Sequence, residues 1–246
     1  MFAVSDFDIV TRHCNDQFRS ITQLWHSSDS LERFEKNCND LKKQAILERS
    51  GWMDPDCISY KFNSFGFRDE EFDDRPAGLA LGCSHTQGVG LPESVVWPRI
   101  LSSLTGTHIW NLGVAGSGID TAFRLLDHWL PKINPKFVVF CVPSRSRVEI
   151  FDRGMPVSLF PEFVPAHLEG FYKHWAIDET NAKILKRKNL LAMQYLCDRT
   201  NITFRYLDHS ELWKLDNNCR PGWARDLMHC GVEQQTMFAQ KMYAVL

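Results

Sequence analysis

The sequence has no long apolar run. Nothing in its 246 residues approaches the roughly 18 consecutive apolar residues that a membrane-spanning helix needs. It also has no excess of either charge. Its 28 Lys and Arg stand against 30 Asp and Glu, for a net charge of −2, so there is no electrostatic footprint for nucleic acid or an anionic membrane surface. The cysteines (Cys14, Cys38, Cys57, Cys83, Cys141, Cys197, Cys219 and Cys230) form no CxxC pair and no zinc-ligand spacing. No metal or cofactor is expected from them. The N-terminus carries Asp6 and Asp8 and no apolar h-region, so no signal peptide is expected. A cytoplasmic protein with free thiols follows.

What is present is an ordinary globular balance, 44% hydrophobic and 24% charged, in a chain long enough for one substantial core. Residues 1–60 read as a helical extension, with Ser28-Asp29-Ser30 able to cap a helix over Leu31–Arg49. From Gly78 the pattern alternates. Strands are expected over Gly78–Gly82, Thr107–Leu112, Phe137–Val142 and Ile202–Leu207. Helices are expected over Ser94–Leu104, Ile119–Leu130, Thr180–Arg199 and Val232–Val245. Such alternation argues for an α/β domain over 61–246, a parallel sheet with helices on both faces. Lys183, Lys186, Arg187 and Lys188 read as one solvated helix face. An aromatic and proline-rich insertion at about 151–178 breaks the alternation. It reads equally as a lid or acyl-binding wall and as a structural insertion on the sheet edge.

Ligands of open parallel sheets bind beyond the carboxyl ends of the strands. Ser84, the Gly113–Gly118 loop and the Ser144–Arg147 segment each follow a strand, so they should gather at that edge. Asp226 and His229, in the loop before the last helix, can reach it. A serine hydroxyl becomes a nucleophile when a base takes its proton. His229 is the candidate base, with Asp226 to hold its other nitrogen, and a glycine-rich loop offers main-chain N–H donors to a developing oxyanion. Ser84 also suits a cap or turn, and Cys83 reads as a buried small hydrophobe. Arg145 and Arg147 can bind a substrate carboxylate or phosphate, or pair with Glu149 or Asp152. His85 is a candidate lining residue.

Gly82-Cys83-Ser84-His85-Thr86, Asn111-Leu112-Gly113-Val114-Ala115-Gly116 and Asp226-Leu227-Met228-His229-Cys230-Gly231 resemble sequence blocks of the SGNH (GDSL-like) hydrolases. Asn63-Ser64-Phe65-Gly66-Phe67-Arg68 resembles a segment that precedes the serine block in one branch of that superfamily. The resemblance covers roughly residues 60 to 246. It implies a three-layer flavodoxin-like fold with about five parallel strands. It also implies Ser84 as nucleophile, His229 as base, Asp226 as acid, and the Ser84 and Gly116 N–H groups as oxyanion donors. The implied activity is cofactor-free hydrolysis of esters, thioesters or O-acetyl groups, and the substrate expected for this chain is a small acyl or carbohydrate O-acyl ester.

Two departures stand out. Cys83 replaces the usual aspartate of the first block, which is not the acid of the family's mechanism. The third block, where an asparagine donor is expected after the Phe137–Val142 strand, reads Pro143-Ser144-Arg145-Ser146-Arg147, leaving Ser144 or Arg145 as the substitutes. The rival expectation is a catalytically impaired module of the same fold that binds a glycan or a protein partner. A third is acyl transfer to an alcohol.

Overall fold

The structure, a computed structural model, describes residues 12–214 and 222–246; the expectations placed on Asp6, Asp8 and Cys219 fall outside them. From the N-terminal side the chain forms β1 (Thr22–Gln23), α1 (Leu31–Cys38), α2 (Leu41–Ser50) and β2 (Tyr60–Lys61). It continues through β3 (Ala77–Gly82), a single helical turn over Ser84–Gln87, α3 (Trp97–Thr105), β4 (His108–Gly113), α4 (Ile119–Ile133) and β5 (Phe137–Val142). A hairpin of β6 (Val148–Asp152) and β7 (Met155–Leu159) follows, then α5 (Glu179–Asp198), β8 (Thr203–Asp208) and α6 (Val232–Val245).

The core sheet is parallel, in the order β4-β3-β5-β8. Successive side chains of a strand point to opposite faces, and the cores divide accordingly. Leu79 and Leu81, Trp110 and Leu112, and Val138 and Phe140 pack against Leu125 and Leu126 of α4 and Met193 of α5. Ala80, Ile109, Val139 and Cys141 turn to Trp97 and Leu101 of α3 and Phe238 and Met242 of α6. Both faces are thus covered, which is why these strands read as near-continuous apolar runs. Among the described residues the sheet has four strands rather than five. The remaining strands pair elsewhere, β1 with β2 and β6 with β7, both antiparallel. No helix among the described residues is long and apolar enough to cross a membrane.

Two expectations about the N-terminal part are corrected. Residues 12–30 hold a short 3-10 turn and β1 rather than a helix. The helix expected over Leu31–Arg49 is two helices. Asp40 breaks it: its carboxylate accepts from the N–H groups of Lys42 and Lys43 and caps α2, a contribution of about 1 kcal/mol. Ser30 caps α1, accepting from Arg33 N at 3.2 Å.

This N-terminal part shares a core with the loops that flank the sheet edge. Phe34, Leu47, Trp52, Ile58, Tyr60 and Phe62 pack with Leu91, Val96 and Ala224. A buried ion pair locks the arrangement. Arg225 donates to both carboxylate oxygens of Asp29 at 2.9 and 2.7 Å, and to the carbonyls of Leu24 and Pro55. The Tyr60 hydroxyl donates to Asp29 at 2.6 Å. Two buried charges tolerate desolvation only when paired and fully hydrogen-bonded. Asp29→Ala strands the Arg225 guanidinium, so it should cost about 3–5 kcal/mol of stability. A urea midpoint equal to that of the wild type would mean that the pair holds nothing.

Candidate active site

Ser84 is presented by a sharp change of backbone at the end of β3. Cys83 is extended (φ −100°, ψ −152°), and its carbonyl accepts from the N–H groups of Thr86 and Gln87 at 2.9 Å each. The helical turn that follows lies hard against β4. A Cβ on Gly113 would sit 2.4 Å from Gln87 N, so only glycine allows this approach. Side chains fasten the turn: Asn111 Nδ2 donates to Thr86 O at 2.8 Å, and Trp97 Nε1 to Thr86 Oγ1 at 3.2 Å. Arg68, from the Asn63–Arg68 segment, is buried and donates to the carbonyls of Ser59, Gln87, Gly88 and Leu91. That segment therefore braces the loop after the serine.

Asp226 and His229 sit on the loop before α6. Asp226 Oδ1 accepts from the main-chain N–H groups of Met228 (3.0 Å) and His229 (3.1 Å), a local turn that fixes the carboxylate against its own loop. The other oxygen lies 2.7 Å from His229 Nδ1, and His229 Nε2 lies 2.7 Å from Ser84 Oγ. With Nδ1–H donating to the carboxylate, Nε2 is free to accept from the Ser84 hydroxyl. Burial by itself raises the Asp226 carboxyl. The imidazole beside it and the donors from His229, Ser28 and Met228 outweigh that and hold it well below its ordinary range. Asp226 is therefore a carboxylate under all ordinary conditions.

A fourth contact to that carboxylate comes from the far end of the chain. The Ser28 hydroxyl donates to Asp226 Oδ2 at 2.6 Å. Nothing in the sequence marks Ser28 for this, since its polar neighbours are also what a helix start requires.

Around Ser84 Oγ the chain forms a cleft of about 730 Å³. Its wall includes Gly116, which adopts φ +78°, a left-handed conformation. The N–H groups of Ser84 and Gly116 donate to no acceptor among the described residues. They are free to meet an oxygen in the cleft. His85 also lines it. Burial, with the neighbouring His229 and the Arg147 charge, pushes this imidazole well below its ordinary value and keeps it neutral. Its Nδ1 lies 3.4 Å from Cys230 Sγ. Cys83 is buried. Pro156, Val157, Phe160 and Phe163 of the aromatic insertion form the opposite wall.

Two of the expected site residues, Ser144 and Arg145, lie outside the cleft. Ser144 does not line the Ser84 cleft: its hydroxyl pairs with that of Ser146 at 2.9 Å and faces a neighbouring groove of about 910 Å³. Arg145 faces the same groove, half-exposed and 4.0 Å from Glu179. A short turn after β5 directs both away, and Arg147, rather than Arg145, reaches the cleft. Neither arginine pairs with Glu149 or Asp152, because Arg124 takes Glu149 and His167 lies beside Asp152. The larger groove is lined by Lys183, Lys186 and Arg187, with Lys183 paired to Glu179 and Lys186 to Asp208.

No family model matches the sequence, and no curated protein matches it either. Several solved structures superpose on it in part. A protein assigned to the lipolytic G-D-S-L family from Desulfitobacterium hafniense DCB-2 is 14% identical, with 69% of this chain and 99% of that chain aligned at a TM-score of 0.41. The psychrotrophic esterase EstA from Pseudoalteromonas sp., in a structure inhibited by monoethylphosphonate, is also 14% identical, with 70% and 96% aligned at a TM-score of 0.40.

Proposed function

We propose that the protein is a serine hydrolase of SGNH type that cleaves a carboxylic ester, with Ser84, His229 and Asp226 as its catalytic residues. The observation that carries this reading is the unbroken hydrogen-bond chain from Ser84 through His229 to Asp226, opening on a cleft with two unengaged main-chain N–H groups. Ser84 Oγ attacks the ester carbonyl while its proton passes to His229 Nε2. Asp226 holds the imidazole in the right tautomer and stabilises the imidazolium. The Ser84 and Gly116 N–H groups receive the oxyanion. His229 then protonates the departing alcohol, and water resolves the acyl-enzyme by the same route in reverse. The substrate is a small acyl ester or an O-acyl group on a carbohydrate, with the aromatic insertion as the wall that receives it.

The test is intact-mass labelling with a fluorophosphonate. A single adduct is expected on the wild type and on Cys83→Ala, and none on Ser84→Ala. A folded wild-type protein that takes no adduct would count against an activated serine and for a binding module.

Ser28 gives a further expectation. A hydrogen bond to a charged group is worth about 1.5–3 kcal/mol, and Ser28→Ala removes one from the oxygen that His229 uses. A fall of about ten-fold in kcat with little change in KM is expected. Unaltered kcat would make Ser28 a bystander.

A further inference from the structure

The cleft beside Ser84 is lined by two guanidinium groups from distant parts of the chain, Arg147 after β5 and Arg33 on α1. Among the described residues neither has an ion pair, and neither side chain donates a hydrogen bond. Arg147 is the more telling of the two. Its Nη1 is shielded from water and without a partner, and its guanidinium lies 5.9 Å from the Phe160 ring. Its backbone is fixed close to Gly118, where a Cβ would meet Arg147 O at 2.7 Å. The residue as a whole is half-buried, so the guanidinium has one shielded N–H without a partner and other N–H groups open to an incoming acceptor. The cleft's own carboxylates do not serve. Asp226 is buried and is engaged by Ser28 and His229, and Glu162, in the lining, is exposed and makes no ion pair with either arginine. The hydroxyls of Ser27 and Ser28 add neutral polar lining on the Arg33 side. Arg99, by contrast, is paired within the protein, to Asp69 and Glu93.

We infer that the ester cleaved at Ser84 is anionic, and that Arg147, with Arg33 at the mouth, grips a carboxylate or phosphate group elsewhere on the same substrate molecule. This rests on the hydrolase reading above and adds the substrate class. A guanidinium matches the two oxygens of such a group in a planar, bidentate contact. The wall at Phe160 limits where the guanidinium can swing, so the anion fixes the distance between itself and the scissile carbonyl. Arg147 thereby selects among esters by charge. The role is distinct from that of an oxyanion donor, because its partner is a permanent charge on the substrate.

The experiment compares kcat/KM for anionic and neutral esters of similar size. Mono-4-nitrophenyl glutarate is set against 4-nitrophenyl butyrate, which places the charge on the acyl side. The acetate ester of 4-hydroxybenzoate is set against phenyl acetate, which places it on the alcohol side. At least one anionic ester should be preferred by about ten-fold. That preference should shrink by about ten-fold in Arg147→Gln, recover in part in Arg147→Lys, and weaken as salt rises from about 0.05 M to about 0.5 M. Competition by benzoate and by phenyl phosphate then distinguishes a carboxylate from a phosphate. Equal preference in both pairs, or a preference untouched by Arg147→Gln, overturns the inference. An equal loss on anionic and neutral esters would make Arg147 an oxyanion donor and overturn it as well. Calorimetric binding of the same anionic esters to folded Ser84→Ala keeps the two readings separable. Binding that Arg147→Gln abolishes supports anion recognition even where the wild type turns nothing over, and no binding overturns it.

Discussion

Ser84→Ala should reduce ester turnover to the uncatalysed background, a loss that reaches about six orders of magnitude when a serine nucleophile acts as one unit with its base. The reason is geometric. Ser84 Oγ is the atom 2.7 Å from His229 Nε2, and no other hydroxyl among the described residues is hydrogen-bonded to that nitrogen. With Ala, the imidazole retains Asp226 but has nothing to deprotonate except water. The fold should be indifferent. The turn is held by the Cys83 carbonyl, by Asn111 and by Trp97, none of which involves the Ser84 hydroxyl, so the stability change should stay near 1 kcal/mol. The comparison to make is turnover of 4-nitrophenyl butyrate and of mono-4-nitrophenyl glutarate by both proteins, with thermal midpoints alongside. Turnover that survives in Ser84→Ala would remove Ser84 as the nucleophile. A large fall in the midpoint would mean that the hydroxyl is structural.

The parts of the molecule legible in the sequence are those set by short-range pattern. Phe137–Val142 and Val232–Val245 are found at the expected bounds, because a buried strand and a closing helix announce themselves within their own residues. Helix α4 runs past the expected end at Leu130, since Pro131 lies in the last turn, where a missing N–H costs one bond. The β6–β7 hairpin at the start of the insertion rests on one tight turn. Arg153 and Gly154 both take positive φ, the two-residue turn that joins antiparallel strands, and Arg153 is not one of the residues that mark such a turn in sequence. The contacts that complete the candidate site were not readable. Ser28 to Asp226 and Asp29 to Arg225 span 198 and 196 residues, and no local periodicity encodes such pairing. Arg145 and Arg147 differ only in how a five-residue turn aims them. Sequence places both at the sheet edge, and only the turn decides which one faces Ser84.

Asp226→Asn should lower kcat by about four orders of magnitude while leaving KM close to the wild-type value, as expected when an orienting carboxylate is replaced by its amide. The isostere can keep Oδ1 against the N–H groups of Met228 and His229, so the loop should hold its shape. The other position then presents an amide N–H2 to His229 Nδ1. A donor there favours the tautomer with the proton on Nε2, which cannot accept from Ser84. The imidazolium formed during attack also loses its counter-charge. The same substitution has a pH signature in stability. Asp226 is held below its ordinary value of 3.8 in the folded state, so the stability it contributes is complete above that value and is lost as pH falls through the lower, folded one. The midpoint difference between wild type and Asp226→Asn should therefore be constant at neutral and mildly acid pH and narrow only below about pH 4. Labelling by the fluorophosphonate should slow in parallel with kcat, since both report the same activated hydroxyl. Wild-type turnover in Asp226→Asn would place the orienting group elsewhere. A midpoint difference that narrows already between pH 7 and 5 would mean that a different group, not this carboxylate, carries the linkage.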